Sequence, residues 1–148
     1  MASFRWAALL PAAAAGFGGS FAGAWVVTMI DPGFLRRLLP EGEVWISDPS
    51  WENHRALFEN AGFKVNTYRY YDSGTHGLDF AGMIDAIDSM PAGSIIVLHA
   101  CCHNPTGVDP TDAQWTTIID KVRDRGLVPM LDLAYQGFGE STEADAGV

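Results

Sequence analysis

SIIVLHACCHNPTG (Ser94–Gly107) opens as an uninterrupted apolar run and closes in turn chemistry. An apolar run of this length without polar alternation is the mark of a strand buried on both faces, as in a parallel sheet covered by helices. Asn, Pro, Thr and Gly in succession then favour a loop. A second apolar run, LVPMLDLAY (Leu127–Tyr135), follows a stretch from Thr111 to about Arg125 with helical periodicity, whose start lies near Pro110 or Thr111. Two buried strands separated by one helix form a parallel crossover unit. In such sheets ligands bind beyond the carboxyl ends of the strands. Asp132, Tyr135 and the CCHNPTG loop fall at or just after those ends.

Moving upstream, the same alternation continues. FAGMIDAIDSM (Phe80–Met90) predicts a helix, DSGTHG (Asp72–Gly77) a loop, and KVNTYRY (Lys64–Tyr70) a strand of period two. ENHRALFENAGF predicts an amphipathic helix that stops at Gly62, a residue suited to a C-terminal cap. VWISD (Val44–Asp48) is a short apolar strand, and FLRRLLP predicts a helix ending at Pro40. Strands alternating with helices define the fold class as α/β, with a mostly parallel sheet and flanking helices.

The 148 residues suffice for one domain with a real core. The formal charge of −9 argues against nucleic acid, because phosphate binding needs clustered Lys and Arg. Cys101 and Cys102 are adjacent and make no disulfide framework, which suits a reducing, cytoplasmic setting. Nor does Cys101–Cys102–His103 predict a metal site, since consecutive side chains diverge along an extended segment. Residues Trp6 to Ile30 carry no charged side chain and are rich in Ala and Gly. Arg5 before an apolar stretch superficially suggests an export signal or anchor. Pro11 and the GFGG turn would break a helix there, so no membrane segment is expected.

Three phrases carry further information: DPSWENH (Asp48–His54), HACCHNPTGVDP (His99–Pro110) and LDLAYQGFG (Leu131–Gly139). In this order and spacing the chain resembles the large domain of class I pyridoxal-phosphate-dependent aminotransferases (fold type I), of the aspartate/aromatic (tyrosine) branch. The resemblance spans residues 33–140, leaving 1–32 outside it and 141–148 as a truncated tail. It implies pyridoxal 5′-phosphate as cofactor, amino acids and 2-oxo acids as substrates, and a homodimer. It also assigns roles. Asp132, the acid in an otherwise apolar strand, would face the cofactor's ring nitrogen. Asn104 and Tyr135 would hydrogen-bond its phenolic oxygen. Trp51 would stack on the ring, and His54 would hold Asp132 from behind. Each residue also has a plainer reading, as a strand-end cap, a turn residue, a core aromatic or a satisfied histidine.

The family's Schiff-base lysine lies well downstream of the AYQGFG segment, and the chain ends at Val148 before reaching it. Neither Lys64, at the start of a strand, nor Lys121, in a polar helix, belongs to a matched motif. Gly18, Gly19 and Ser20 do not stand at the spacing of the family's phosphate turn. Weak cofactor binding is therefore expected, and no transamination by the chain alone above that of free cofactor. A non-enzymatic binding module that keeps the fold is the alternative. The choice between aspartate and aromatic substrates is left open.

Overall fold

The structure is a computed structural model that describes Arg36, Arg37, residues 42–143 and Asp145. The Ala/Gly-rich segment, its anchor reading and the Gly18–Ser20 turn lie outside the described residues. So does the FLRRLLP helix apart from Arg36 and Arg37, which are helical.

The described chain runs β1 (Val44–Asp48), α1 (Glu52–Asn60), β2 (Val65–Arg69), β3 (Tyr71–Asp72), β4 (Gly77–Leu78), α2 (Phe80–Ser89), β5 (Ile95–His99), α3 (Asp112–Asp124) and β6 (Val128–Asp132). Four strands form one sheet in the order β2-β1-β5-β6. Every neighbouring pair in it is parallel, with Val44 opposite both Val65 and Ile95, and Ile95 opposite Val128. The chain leaves β1 to one side for β2 and returns to the other side for β5. The order thus reverses between β1 and β5, where open α/β sheets place their ligands.

β5 is buried along its whole length, as its unbroken apolar sequence predicts. Its alternate residues serve two cores. Ile96 and Leu98 join Tyr68, Met83, Ile87, Trp115 and Ile118 on the face covered by α2 and α3. Ile95 and Val97 join Val44, Ile46, Phe58 and Phe63 on the face covered by α1. Each such fully buried aliphatic side chain contributes on the order of 1.5–3 kcal/mol. In and after β2 the expected period of two is plain: Tyr68 and Tyr70 are buried while Thr67 and Arg69 are exposed.

Three local expectations need correction. β6 is only half-buried until Asp132, because it forms an edge of the sheet among the described residues. The strand also stops at Asp132, and Leu133–Tyr135 turn away instead of extending it. DSGTHG is not wholly a loop: β3 and β4 pair antiparallel across it as a two-stranded ribbon. Asp72 shapes its turn by accepting hydrogen bonds from Gly74 N (2.8 Å) and Thr75 Oγ1 (2.9 Å).

Helix ends follow the sequence closely. Gly62, at φ +84°, takes the left-handed conformation just beyond α1, with its N–H donating to Glu59 O. Thr111 caps α3 in a capping box with Gln114. Thr111→Ala should therefore cost about 1 kcal/mol of stability, read as a lower urea midpoint at unchanged slope.

Candidate functional site

All five residues singled out from sequence lie at or just after the carboxyl ends of β1, β5 and β6. Asp132 is the last residue of β6 and is 4 % exposed. Its Oδ2 accepts from His54 Nε2 at 3.1 Å, and its Oδ1 from Ala134 N at 3.0 Å. A carboxylate only accepts, so His54 carries its proton on Nε2 in this bond. Its other nitrogen, Nδ1, is hydrogen-bonded to Ser50 Oγ, 3.0 Å away. His54 comes from the first turn of α1 and is fully buried, 78 positions from Asp132 in sequence. Burial pushes the Asp132 carboxyl up, but the His54 and Ala134 hydrogen bonds and the nearby His99 outweigh it and hold its pKa below the ordinary value. The group is a buried, ionised carboxylate with one oxygen on each of two donors.

Trp51 precedes α1, is half-buried, and meets His54 edge to face at 5.4 Å between ring centroids. Asn104 and Tyr135 come together in an open cleft of about 230 Å³, lined also by Cys102, His103, Pro105 and Gly107. Tyr135 is 41 % exposed there. The structure thus gathers the named residues into two groups: the buried His54–Asp132 pair with Trp51 at its edge, and Asn104 with Tyr135 in the open cleft.

Two histidines to which the sequence assigned no site role also stand here. His99 ends β5 beside Asp132, and His103 lies in the loop that follows. His103 is held at both nitrogens, Nε2 to Ser47 Oγ (2.9 Å) and Nδ1 to Thr106 Oγ1 (2.8 Å), and stacks on Tyr70 at 3.8 Å. His99 sits between the His54 ring (5.2 Å) and the His103 ring (4.4 Å). Neither of its nitrogens has a hydrogen-bond partner among the described residues, and Asp132 Oδ2 is 3.7 Å from its Nε2. Burial holds the His99 pKa down to about 4 against the pull of Asp132. Burial, with His99 and His54 close by, holds that of His103 to about 3. The signal for His99 was present in the sequence: it is the one polar side chain inside SIIVLHA after Ser94.

The CCHN loop is fixed by Asp109, whose carboxylate accepts from Cys102 N (2.7 Å) and His103 N (2.8 Å). Burial, with Cys102 alongside, pushes the Cys101 thiol up to about 12, so it is no nucleophile. The segment after Tyr135 is tied down by Asp145, which accepts from Gly137, Gly139 and Glu140 N–H at 2.7–3.0 Å. A side chain at Gly139 would come within 2.8 Å of that carboxylate, so the tie requires glycine. Gly139→Ala should loosen this loop, seen as faster amide exchange at Gly137–Glu140 with the β5 amides unchanged.

Both lysines are at the surface in ion pairs, Lys64 with Glu43 and Lys121 with Asp88, each at 2.6 Å. Among the described residues no helix is long and apolar enough to cross a membrane.

This arrangement has clear relatives. The aminotransferase class I and II family profile matches residues 26–147. An aspartate aminotransferase of Pseudomonas aeruginosa is 58 % identical over 113 residues, covering 76 % of this chain and 28 % of that protein. The aromatic-amino-acid aminotransferase of Escherichia coli is 52 % identical over the same length and coverage. Among solved structures, an aromatic-amino-acid aminotransferase from Burkholderia pseudomallei, covalently bound to pyridoxal phosphate, superposes with a TM-score of 0.77 at 62 % identity, covering 78 % of this chain and 29 % of that one. The chain belongs to the class I and II aminotransferase family, and its sheet and helices are part of the fold type I architecture. It spans about 28 % of the length of these curated relatives.

Proposed function

We propose that this chain supplies the ring-binding part of a pyridoxal-phosphate site in an enzyme that transfers amino groups between an aspartate or aromatic amino acid and a 2-oxo acid. The observation that carries the proposal is the buried, ionised Asp132 at the end of β6, held by His54 and the Ala134 N–H beside the Asn104–Tyr135 cleft. When bound, the cofactor supplies an electron sink whose strength depends on a protonated ring nitrogen. Asp132 is the counter-ion for that proton, in a charge-assisted hydrogen bond worth about 1.5–3 kcal/mol. His54 and Ser50 keep the carboxylate from rotating, a role that fixes its aim rather than its charge. Asn104 and Tyr135 offer an amide and a hydroxyl to the ring's phenolic oxygen from the cleft. Trp51 contributes ring stacking, about 0.5–1.5 kcal/mol beyond its buried area.

Lys64 and Lys121 are engaged at the surface, so neither is assigned the covalent role. A stack and a few hydrogen bonds must offset several kcal/mol of lost cofactor freedom, which leaves roughly millimolar affinity for these contacts alone. We take residues 33–140 as the cofactor-binding unit, residues 1–32 as lying outside it, and 141–148 as its tail. In the intact enzyme we expect a cytoplasmic homodimer.

A chimera tests the reading. Residues 42–143 replace the matching segment of the Pseudomonas aeruginosa relative, and transamination is measured with aspartate and with tyrosine. The expected result is activity that Asp132→Ala lowers by at least about 100-fold, the scale of losing one preorganised charge partner. A folded, cofactor-loaded chimera without activity, or one indifferent to Asp132→Ala, would overturn it.

A further inference from the structure

His54, His99 and Asp132 each present one ligand atom such that all three lie within 4.8 Å of one another, and all three residues are buried. The closest distances are 3.1 Å from His54 Nε2 to Asp132 Oδ2 and 3.7 Å from His99 Nε2 to the same oxygen. Around a tetrahedral ion with bonds near 2.0–2.1 Å, neighbouring ligand atoms stand about 3.3–3.4 Å apart. The two distances to Asp132 Oδ2 straddle that spacing.

A second observation points the same way. His99 is 4 % exposed, yet neither ring nitrogen has a hydrogen-bond partner among the described residues. A buried imidazole in that state has forfeited its hydrogen bonds to water without replacement. A metal bond is one way to replace them.

The outer partners also fit. Ser50 Oγ backs His54 Nδ1, and a hydroxyl can either donate or accept, so it serves the ring equally when Nε2 gives up its proton to bind an ion. Ala134 N holds the second oxygen of Asp132, which favours one-oxygen ligation.

We propose that His54, His99 and Asp132 form a three-ligand site for a divalent transition ion of the zinc class, available when no cofactor ring faces Asp132. Two imidazoles and one carboxylate are a borderline-soft donor set suited to zinc or cobalt(II), with a fourth position left for an exogenous ligand. Magnesium and calcium, which prefer all-oxygen shells, are not bound. The proposal shares Asp132 with the cofactor reading but does not rest on it, since ion and cofactor are tested separately.

The test is titration of cobalt(II) into the reduced 148-residue chain without cofactor. Four-coordinate cobalt(II) gives intense visible bands that the hydrated ion lacks. One ion per chain is expected, with these bands lost in His99→Gln and kept in the Cys101→Ser/Cys102→Ser double variant. Ser50→Ala, which removes only the hydroxyl behind His54, should weaken binding by about 10-fold. It serves as the second variant should His99→Gln fail to fold. Absence of the bands overturns the proposal. So does their survival unchanged in both His99→Gln and Ser50→Ala, or their loss in the cysteine variant, which would place the ion on thiolates.

Discussion

Acidification from pH 7 to pH 4 is expected to remove several kcal/mol of stability from this fold, more than any surface substitution would. The cause is the pair of buried histidines behind the site. His99 titrates near 4 and His103 near 3 in the folded chain, while an unfolded histidine titrates near 6.5. Between these values the unfolded state holds protons that the folded state refuses. Stability therefore rises with pH across this window, by up to about 1.4 kcal/mol per pH unit for each histidine. The contribution is fully present above about pH 6.5 and is lost as pH falls toward the folded values. Asp132 works in the same direction lower down, because its depressed pKa means that its stabilisation is lost as the carboxylate protonates. Against a typical total of about 5–15 kcal/mol, the loss is large enough to unfold the chain near pH 4. Urea midpoints measured from pH 7 to pH 4.5 check this. His103→Gln should reduce the slope by about one proton, whereas a stability that stays flat down to pH 5 would show that these rings are not buried as described.

Asp132→Ala is the substitution with the largest expected consequence. It strips the acceptor from two donors at once, the buried His54 Nε2–H and the half-buried Ala134 N–H. Each unsatisfied donor costs about 1–3 kcal/mol, so a loss on the order of 2–4 kcal/mol is expected in chemical denaturation. Asp132→Asn separates this from the electrostatic role. Its amide oxygen still accepts from one donor and its shape is kept, so most of the stability should return. The charge does not return, and pyridoxal-phosphate affinity should stay low in both variants. If Asn restored affinity as well as stability, the carboxylate would be acting by shape alone.

Much of this fold was legible because its patterns are local. The unbroken SIIVLHA run gave a strand buried on both faces, and the Tyr68/Tyr70 alternation gave a half-buried one. The helix start expected near Pro110 or Thr111 falls at Thr111, where a capping box with Gln114 fixes it. The burial of β6 was misjudged because its apolar sequence does not say which position in a sheet the strand takes, and here it lies at an edge among the described residues. The β3–β4 ribbon was missed because DSGTHG reads as pure turn chemistry, and the pairing depends on the residues either side of it.

The candidate site was legible to a different degree. Asp132, Tyr135 and the Asn104 loop share the carboxyl ends of neighbouring strands, which the alternation of elements already implied. That His54 would reach Asp132 across 78 positions came from the resemblance, not from any local pattern, and the bond between them is now visible at 3.1 Å. His103 was weighed only with Cys101 and Cys102, as a trio whose side chains diverge, and His99 was passed over because nothing local in the apolar run marks it as more than a satisfied core group. That reading suits His103, which is bonded at both nitrogens. It does not suit His99, whose lack of a partner appears only once the fold sets it between the His54 and His103 rings.

The role of Asp132 is tested by a pyridoxal-phosphate titration of the 148-residue chain at pH 7, followed by quenching of tryptophan fluorescence. Trp51→Phe identifies the part of the signal that comes from the site. Saturable quenching is expected, with a Kd of roughly millimolar order, carried largely by Trp51 and weakened at least about tenfold by Asp132→Asn. Quenching that rises without saturation, or that is the same in the wild type and Asp132→Asn, would contradict the claim that this carboxylate is the seat of the cofactor ring.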